Sequence, residues 1–186
     1  MSSHAPTTPG PTATRYYGKY RGTVLVNVDP LQTGRIMAQV PDVLGETPSS
    51  WALPCVPVAG IQAGAFMVPP IGSQVWIEFE QGDPDYPIWT GGFWGTAAEV
   101  PALALAPPAI PPGQNIVLQT TGQSSLILSD APPTPATGGI VLKSATGAMI
   151  VVNDTGIYIS NGKGATITLI GPTVAINVSA LTVVGP

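Results

Sequence analysis

Gly139-Ile-Val-Leu-Lys-Ser144, Ala148-Met-Ile-Val-Val-Asn153 and Gly156-Ile-Tyr-Ile-Ser160 are the segments that decide how this chain folds. Each is a run of four to six residues with apolar side chains at spacing two, and the runs are separated by Ala-Thr-Gly and Asp-Thr. A period of two places alternate side chains on opposite faces of an extended strand, and Gly, Asn and Asp supply the backbone freedom and short acceptors that tight turns need. The same grammar extends in both directions: Asn115-Ile-Val-Leu-Gln-Thr and Ser125-Leu-Ile-Leu-Ser lie before it, and Ala165-Thr-Ile-Thr-Leu-Ile, Thr173-Val-Ala-Ile-Asn-Val and Ala180-Leu-Thr-Val-Val follow. Recurrence every 8 to 10 residues or so marks a repetitive β structure, either a β-helix or a prism of strands.

Such strands are short and their side chains small; Tyr158 is the only aromatic after Gln114. One copy would enclose a thin core and leave long edges unpaired. Three chains wound about a common axis would remove both problems, with strands pairing between chains and Ile, Val and Leu filling a triangular interior. The side chains expected there are Ile127, Val141, Ile150, Ile157, Ile159, Ile167, Leu169, Val174, Ile176 and Val183. Eight strands stacked along the axis would make a rod roughly 40 Å long.

Residues 97–113 change character to Ala, Leu and Pro. The five prolines between Thr96 and Gly113 exclude a continuous helix or ladder. This stretch is expected to be an extended linker, with Leu103, Leu105 and Ile110 pinned on a neighbouring surface. Before it the sequence reads as a handful of strands with long irregular connections: Tyr20–Val28 with Val24, Val26 and Val28 on one face, then Gly34–Val40 with Ile36, Ala38 and Val40 alternating. A short strand about Val56 and Val58, Gln74–Glu80 with Val75, Ile77 and Phe79 inward, and Tyr86–Gly91 complete the set. So few strands suit a small closed barrel better than a sandwich, and the missing βα alternation speaks against a nucleotide-binding fold. The organisation expected is a flexible tail over 1–14, a barrel over 15–96, the linker over 97–113 and a trimeric β rod over 114–186.

Composition narrows the function. Charged residues make up 9% of the 186 and apolar ones 44%, a balance that suits a subunit with buried faces. The net charge of −4 opposes a phosphate-backbone partner, so no nucleic acid is expected. No apolar run is long enough for a spanning helix, so no stable membrane insertion is expected. Residues 1–14 lack the marks of a signal peptide, and the single cysteine excludes an internal disulfide. We therefore expect synthesis in a reducing bacterial cytoplasm, with Cys55 a small buried thiol. Arg15, Lys19 and Arg21 fall in one stretch and read as a solvated strand start.

Glu78, Glu80, Asp83 and Asp85 are the one carboxylate cluster. Two of them flank a Pro turn where Asp caps its own backbone, so they are read as structural and not as a glycosidase pair. His4 has no second ligand, so neither a metal nor another cofactor is expected. The aromatics Trp51, Trp76, Trp89, Phe93 and Trp94 are read as packing. An alternative is a carbohydrate-binding fibre or adhesin whose barrel stacks sugars on Trp89 and Trp94.

The first half carries Tyr17-Gly-Lys-Tyr-Arg-Gly-Thr-Val, Asp29-Pro-Leu-Gln-Thr-Gly-Arg, Trp51-Ala-Leu-Pro-Cys, Pro70-Ile-Gly-Ser-Gln-Val-Trp-Ile-Glu-Phe-Glu and Gln81-Gly-Asp-Pro-Asp-Tyr-Pro-Ile-Trp-Thr-Gly. Over about residues 15 to 95 it resembles the oligonucleotide/oligosaccharide-binding-type barrel of phage baseplate assembly protein V, the phage central spikes and the VgrG spikes of type VI secretion. Gly82, Asp83, Pro84, Asp85, Pro87 and Trp89 form the most specific part of that likeness. No enzymatic activity is expected from these residues, and the resemblance implies a homotrimer with its barrel end toward the inner tube and its rod pointing at the target envelope; hub and baseplate proteins are the expected partners. It also implies incorporation in a virion tail or an injection particle. The linker is too short for the lysozyme domain of some spikes. The chain lacks the His-rich run by which other spike tips hold iron, so a separate PAAR-type tip protein is expected to cap the rod.

Overall fold

The computed structural model describes residues 14–105, 115–134, 137–178 and 180–184. It is nearly all β and falls into two compact units, residues 1–95 and 96–186. The tail expected over 1–14, with His4, lies almost wholly outside the described residues, as do Ile110 and the second half of the linker.

The first unit is a small barrel. Its strands are β1 (Tyr20–Val26), β2 (Met37–Gln39), β3 (Leu53–Pro54), β6 (Gln74–Phe79) and β7 (Pro87–Phe93), in the order β2-β1-β6-β7-β3. Between β3 and β6 a separate ribbon joins β4 (Ala59–Gly60) to β5 (Ala63–Gly64), and a one-turn helix α1 (Pro41–Leu44) follows β2. Ile36, just before β2, exchanges backbone hydrogen bonds of 3.2 and 2.8 Å with Ala52, just before β3. That bridge joins the two ends of the strand order, so the sheet curls back on itself. Val24, Ile36, Ala38, Val40, Ala52, Val75, Ile77, Phe79 and Trp89 fill the interior. The alternation read at Ile36/Ala38/Val40 and Val75/Ile77/Phe79 places all six of these inward.

The structure differs from the sequence reading at four places in this unit and its continuation. Val24, Val26 and Val28 do not share a face: the pairing of β1 with β2 shifts between Val24 and Val26, and Val28 is exposed. The extra residue of a bulge breaks the two-residue period there. Val56 and Val58 form no strand; the chain instead runs parallel to β7 at Leu53–Pro54, and Val56 packs on the core. Cys55 is exposed. Its N–H donates to Trp89 O at 2.9 Å, which continues that parallel pairing at a sheet edge and leaves the thiol outside. The stretch after Gly95 is not wholly extended either: a 3-10 turn (Ala97–Glu99) and a helical turn α2 (Ala102–Leu105) form, the latter directly after Pro101, and Ala104 N–H reaches Pro101 O at 2.8 Å.

The second unit contains one antiparallel sheet of eight strands in sequence order. These are β8 (Asn115–Gln119), β9 (Ser125–Thr134), β10 (Thr137–Lys143), β11 (Met149–Asn153), β12 (Gly156–Ser160), β13 (Thr166–Ile170), β14 (Thr173–Ile176) and β15 (Leu181–Val184). Every inner strand is hydrogen-bonded to the strands before and after it in its own chain. This corrects the expectation that strands pair between chains. Short turns close each hairpin locally, so a strand meets its neighbour in sequence first. The β11–β12 turn shows how: Asn153 Oδ1 accepts from Thr155 N at 3.0 Å and Thr155 Oγ1 at 2.7 Å, and that hydroxyl meets Tyr158 Oη at 2.8 Å. Gly156 closes the turn at φ +154, where a Cβ would strike Leu169 O on the next strand. Only Gly fits.

Candidate functional site: an apolar face of the eight-stranded sheet

Directly paired residues lie on the same face of a sheet, so the register assigns every side chain to one side. Ile116, Leu128, Ile140, Val152, Ile157, Leu169, Val174 and Val183 are successive partners across all eight strands. Two residues along, Leu118, Leu126, Leu142, Ile150, Ile159, Ile167, Ile176 and Leu181 make a second row on that face. Both rows consist entirely of Ile, Leu and Val. With strands about 4.8 Å apart, the face is about 34 Å long.

This face is open in a single copy. Ile116 is 62% exposed, Ile140 45%, Ile167 38% and Val183 57%. Soluble monomers rarely expose contiguous apolar patches of more than a few hundred Å². The opposite face differs. Its central row carries Val117, Ile127, Val141, Val151, Tyr158, Thr168 and Ala175, and Val141, Val151 and Tyr158 are buried there with Ile127 and Met149 against them. Turn-forming Asn, Ser and Thr dominate the ends of the strands.

Of the interior residues expected from sequence, Ile150, Ile157, Ile159, Ile167, Leu169, Val174, Ile176 and Val183 fall together on the open face. Ile127 and Val141 do not: they pair with each other on the opposite face, inside their own chain's cluster. Ile116, Leu118, Leu126, Leu128, Ile140, Leu142, Val152 and Leu181 belong to the open face and escaped the sequence reading.

In the barrel, the Gly-Asp-Pro-Asp-x-Pro segment locks the chain's entry into β1. Gly82 takes φ +75, and a Cβ there would meet Tyr16 N at 3.0 Å and Arg15 Cβ at 3.1 Å. The close approach lets Tyr16 N–H donate to Gly82 O at 2.8 Å. Asp83 accepts from Asp85 N–H at 3.2 Å and pairs with Arg15 at 2.9 Å. Pro84 occupies the turn between them, and Pro87 starts β7. Glu78 pairs with Lys19 at 2.7 Å. Asp83 and Glu78 therefore face cations at the surface, an arrangement that holds the loops in place. Arg21 lies over the rings of Trp76 and Phe93 at 5.9 and 5.4 Å.

Asp29 organises the loop after β1. It is 8% exposed, and its carboxylate accepts from Leu31 N, Thr33 N, Thr33 Oγ1, Arg35 N and the Arg35 guanidinium, the last at 2.6 Å. The guanidinium beside it, assisted by those loop donors, holds the Asp29 carboxyl far below the usual carboxylate range. Arg35 also lies over Trp51 at 5.3 Å. Trp89 is buried and donates its indole N–H to Gly34 O at 3.0 Å. Its ring is thus spent on the core and cannot stack a sugar, whereas Trp94 is exposed. Among the described residues no group of His, Cys, Asp and Glu is placed to hold a metal ion.

Comparison with known protein families matches both halves. Residues 20–94 match the family model described as type VI secretion system/phage-baseplate injector OB domain. Residues 115–182 match the model described as phage baseplate V C-terminal trimerisation domain. No curated protein matches the chain.

Proposed function

From the premise that the chain belongs to the phage baseplate V family and is a structural protein of a phage baseplate or type VI secretion system, we propose that it is the central spike of that assembly. Three copies bury their apolar sheet faces against one another about a common axis. The resulting rod plugs the inner tube and transmits the force of contraction into the target envelope, with no catalytic step of its own. The barrel meets the tube, hub and baseplate proteins, and a PAAR-type tip protein caps the far end.

The observation that carries this reading is the pair of unbroken Ile/Leu/Val rows on one face of the sheet. Full burial of such a side chain is worth about 1.5–3 kcal/mol, and the fraction still open on each row provides the driving force for association. A sheet whose strands pair locally and whose face is dry on assembly has little freedom to bend, as suits a part loaded along its axis.

The mass of the purified full chain in solution tests the proposal. Three copies, resistant to mild detergent at micromolar concentration, are expected. A soluble, well-folded single copy at that concentration overturns it.

A further inference from the structure

We infer that one end of the barrel is a self-docking surface, through which the N-terminal units of the copies pack on one another. This inference rests on the three-copy reading of the C-terminal sheet.

The barrel is polarised end to end. β1 and β6 are antiparallel, with Tyr20 opposite Ile77 and Thr23 opposite Gln74. The loop leaving β1 and the loop entering β6 therefore share one end, and the start of β1 and the turn after β6 share the other. The second end holds Arg15, Lys19, Glu78, Glu80, Asp83 and Asp85. The first end is bare of free charge: no charged residue lies between Glu46 and Glu78, and Asp29 and Arg35 neutralise each other within their loop.

That end instead presents large apolar side chains. Val28 is 78% exposed, Leu31 67%, Phe66 73%, Met67 59% and Ile71 64%. They are held in place. Asn27 Nδ2 donates to Pro69 O at 3.1 Å, Gly72 N–H to Val24 O at 2.9 Å and Val24 N–H to Ser73 O at 3.0 Å, which ties the two loops together. Phe66 rests one ring edge above Gly34, at 3.3 Å from where a Cβ would stand. Its other surface faces out. A fixed aromatic amid aliphatic neighbours is the makeup of an interface centre and loses little entropy when covered.

The occupant is a second copy. The trimerisation domain would tether three such ends within reach of one another, at an effective concentration of about millimolar for short linkers. Identical patches that bear no free charge meet without like-charge repulsion, whereas the other end, where Glu80 and Asp85 stand in excess of the Arg15–Asp83 and Lys19–Glu78 pairs, would repel its copies.

Single cysteines placed in full-length Cys55→Ser protein test this. Phe66→Cys and Glu80→Cys variants are oxidised with oxidised glutathione and resolved on a non-reducing gel, each with and without the assembly-breaking Ile167→Asp change. Disulfide-linked pairs at least tenfold faster for Phe66→Cys than for Glu80→Cys, and slowed at least tenfold by Ile167→Asp, are expected. Equal or slower linkage in a particle of three copies overturns the inference alone and leaves this end for a different protein. A parent protein of single-copy mass overturns both this inference and the reading it rests on.

Discussion

Ile167→Asp tests the open face most directly. Ile167 sits in β13, between Ile159 and Ile176 of the adjacent strands, and retains 38% exposure in one copy. Complete burial of an isoleucine is worth about 1.5–3 kcal/mol, so covering the remainder contributes about 0.6–1.1 kcal/mol per copy and about 2–3 kcal/mol across three. That loss alone is modest. The carboxylates dominate, because each ionised group buried without a partner costs several kcal/mol, and three converging on one axis cost more than about 10 kcal/mol. Burial raises the carboxyl pKa in the assembled state above its value of about 3.9 in the free chain. The assembled form then binds more protons than the separated one, so association strengthens as pH falls. Light scattering after size exclusion is expected to report single copies at pH 7.5 and partial recovery of the trimer near pH 4. Ile167→Asn should show no such pH dependence. Thr168→Asp, one residue along and on the opposite face, should leave the trimer intact at pH 7.5. A trimeric Ile167→Asp variant at pH 7.5, or an equally disruptive Thr168→Asp, refutes the face assignment.

Three further outcomes concern the barrel. Trp89→Phe removes the donor to Gly34 O inside the core and should destabilise the first unit by about 1–3 kcal/mol, read from the urea midpoint by circular dichroism. Asp29→Asn should lower the thermal midpoint of the first unit at neutral pH. Because the folded Asp29 carboxyl titrates far below its unfolded value, its contribution is complete above about pH 5 and fades as pH falls below that, so acid titration of both proteins should show the gap closing from pH 5 toward pH 2. Cys55, on the outer edge of the barrel, should react stoichiometrically with a thiol reagent in the native protein, and a thiol released only by denaturant would contradict its placement.

The sequence carried the strands well and the faces unevenly, for a reason visible in particular triplets. Ile157-Tyr-Ile, Ile167-Thr-Leu and Val174-Ala-Ile have a polar or small residue between two aliphatic ones, so the outer pair declares the apolar face. Leu126-Ile-Leu and Ile140-Val-Leu are apolar throughout, and alternation alone cannot say whether the middle or the flanks belong to that face. Pairing resolves it: β9 and β10 must share a face with β12 and β13, which puts Leu126, Leu128, Ile140 and Leu142 on the open side and Ile127 and Val141 on the other. In the barrel, the residues Asp29 to Arg35 stood out as a family motif, but the carboxylate they wrap around became visible only in three dimensions. The exposure of Cys55 had no local signal, because an apolar neighbourhood in sequence says nothing about whether its strand lies at an edge.

Strictly sequential pairing makes the C-terminal sheet a modular ruler. Each hairpin adds about 10 Å along the stacking direction and brings four side chains of its own to the two rows, without changing what its neighbours touch. Loss or duplication of one whole hairpin therefore resets the span while keeping parity, whereas an odd number of strands reverses the direction in which the chain leaves. Pairs of strands can therefore be gained or lost without disturbing the register of those that remain.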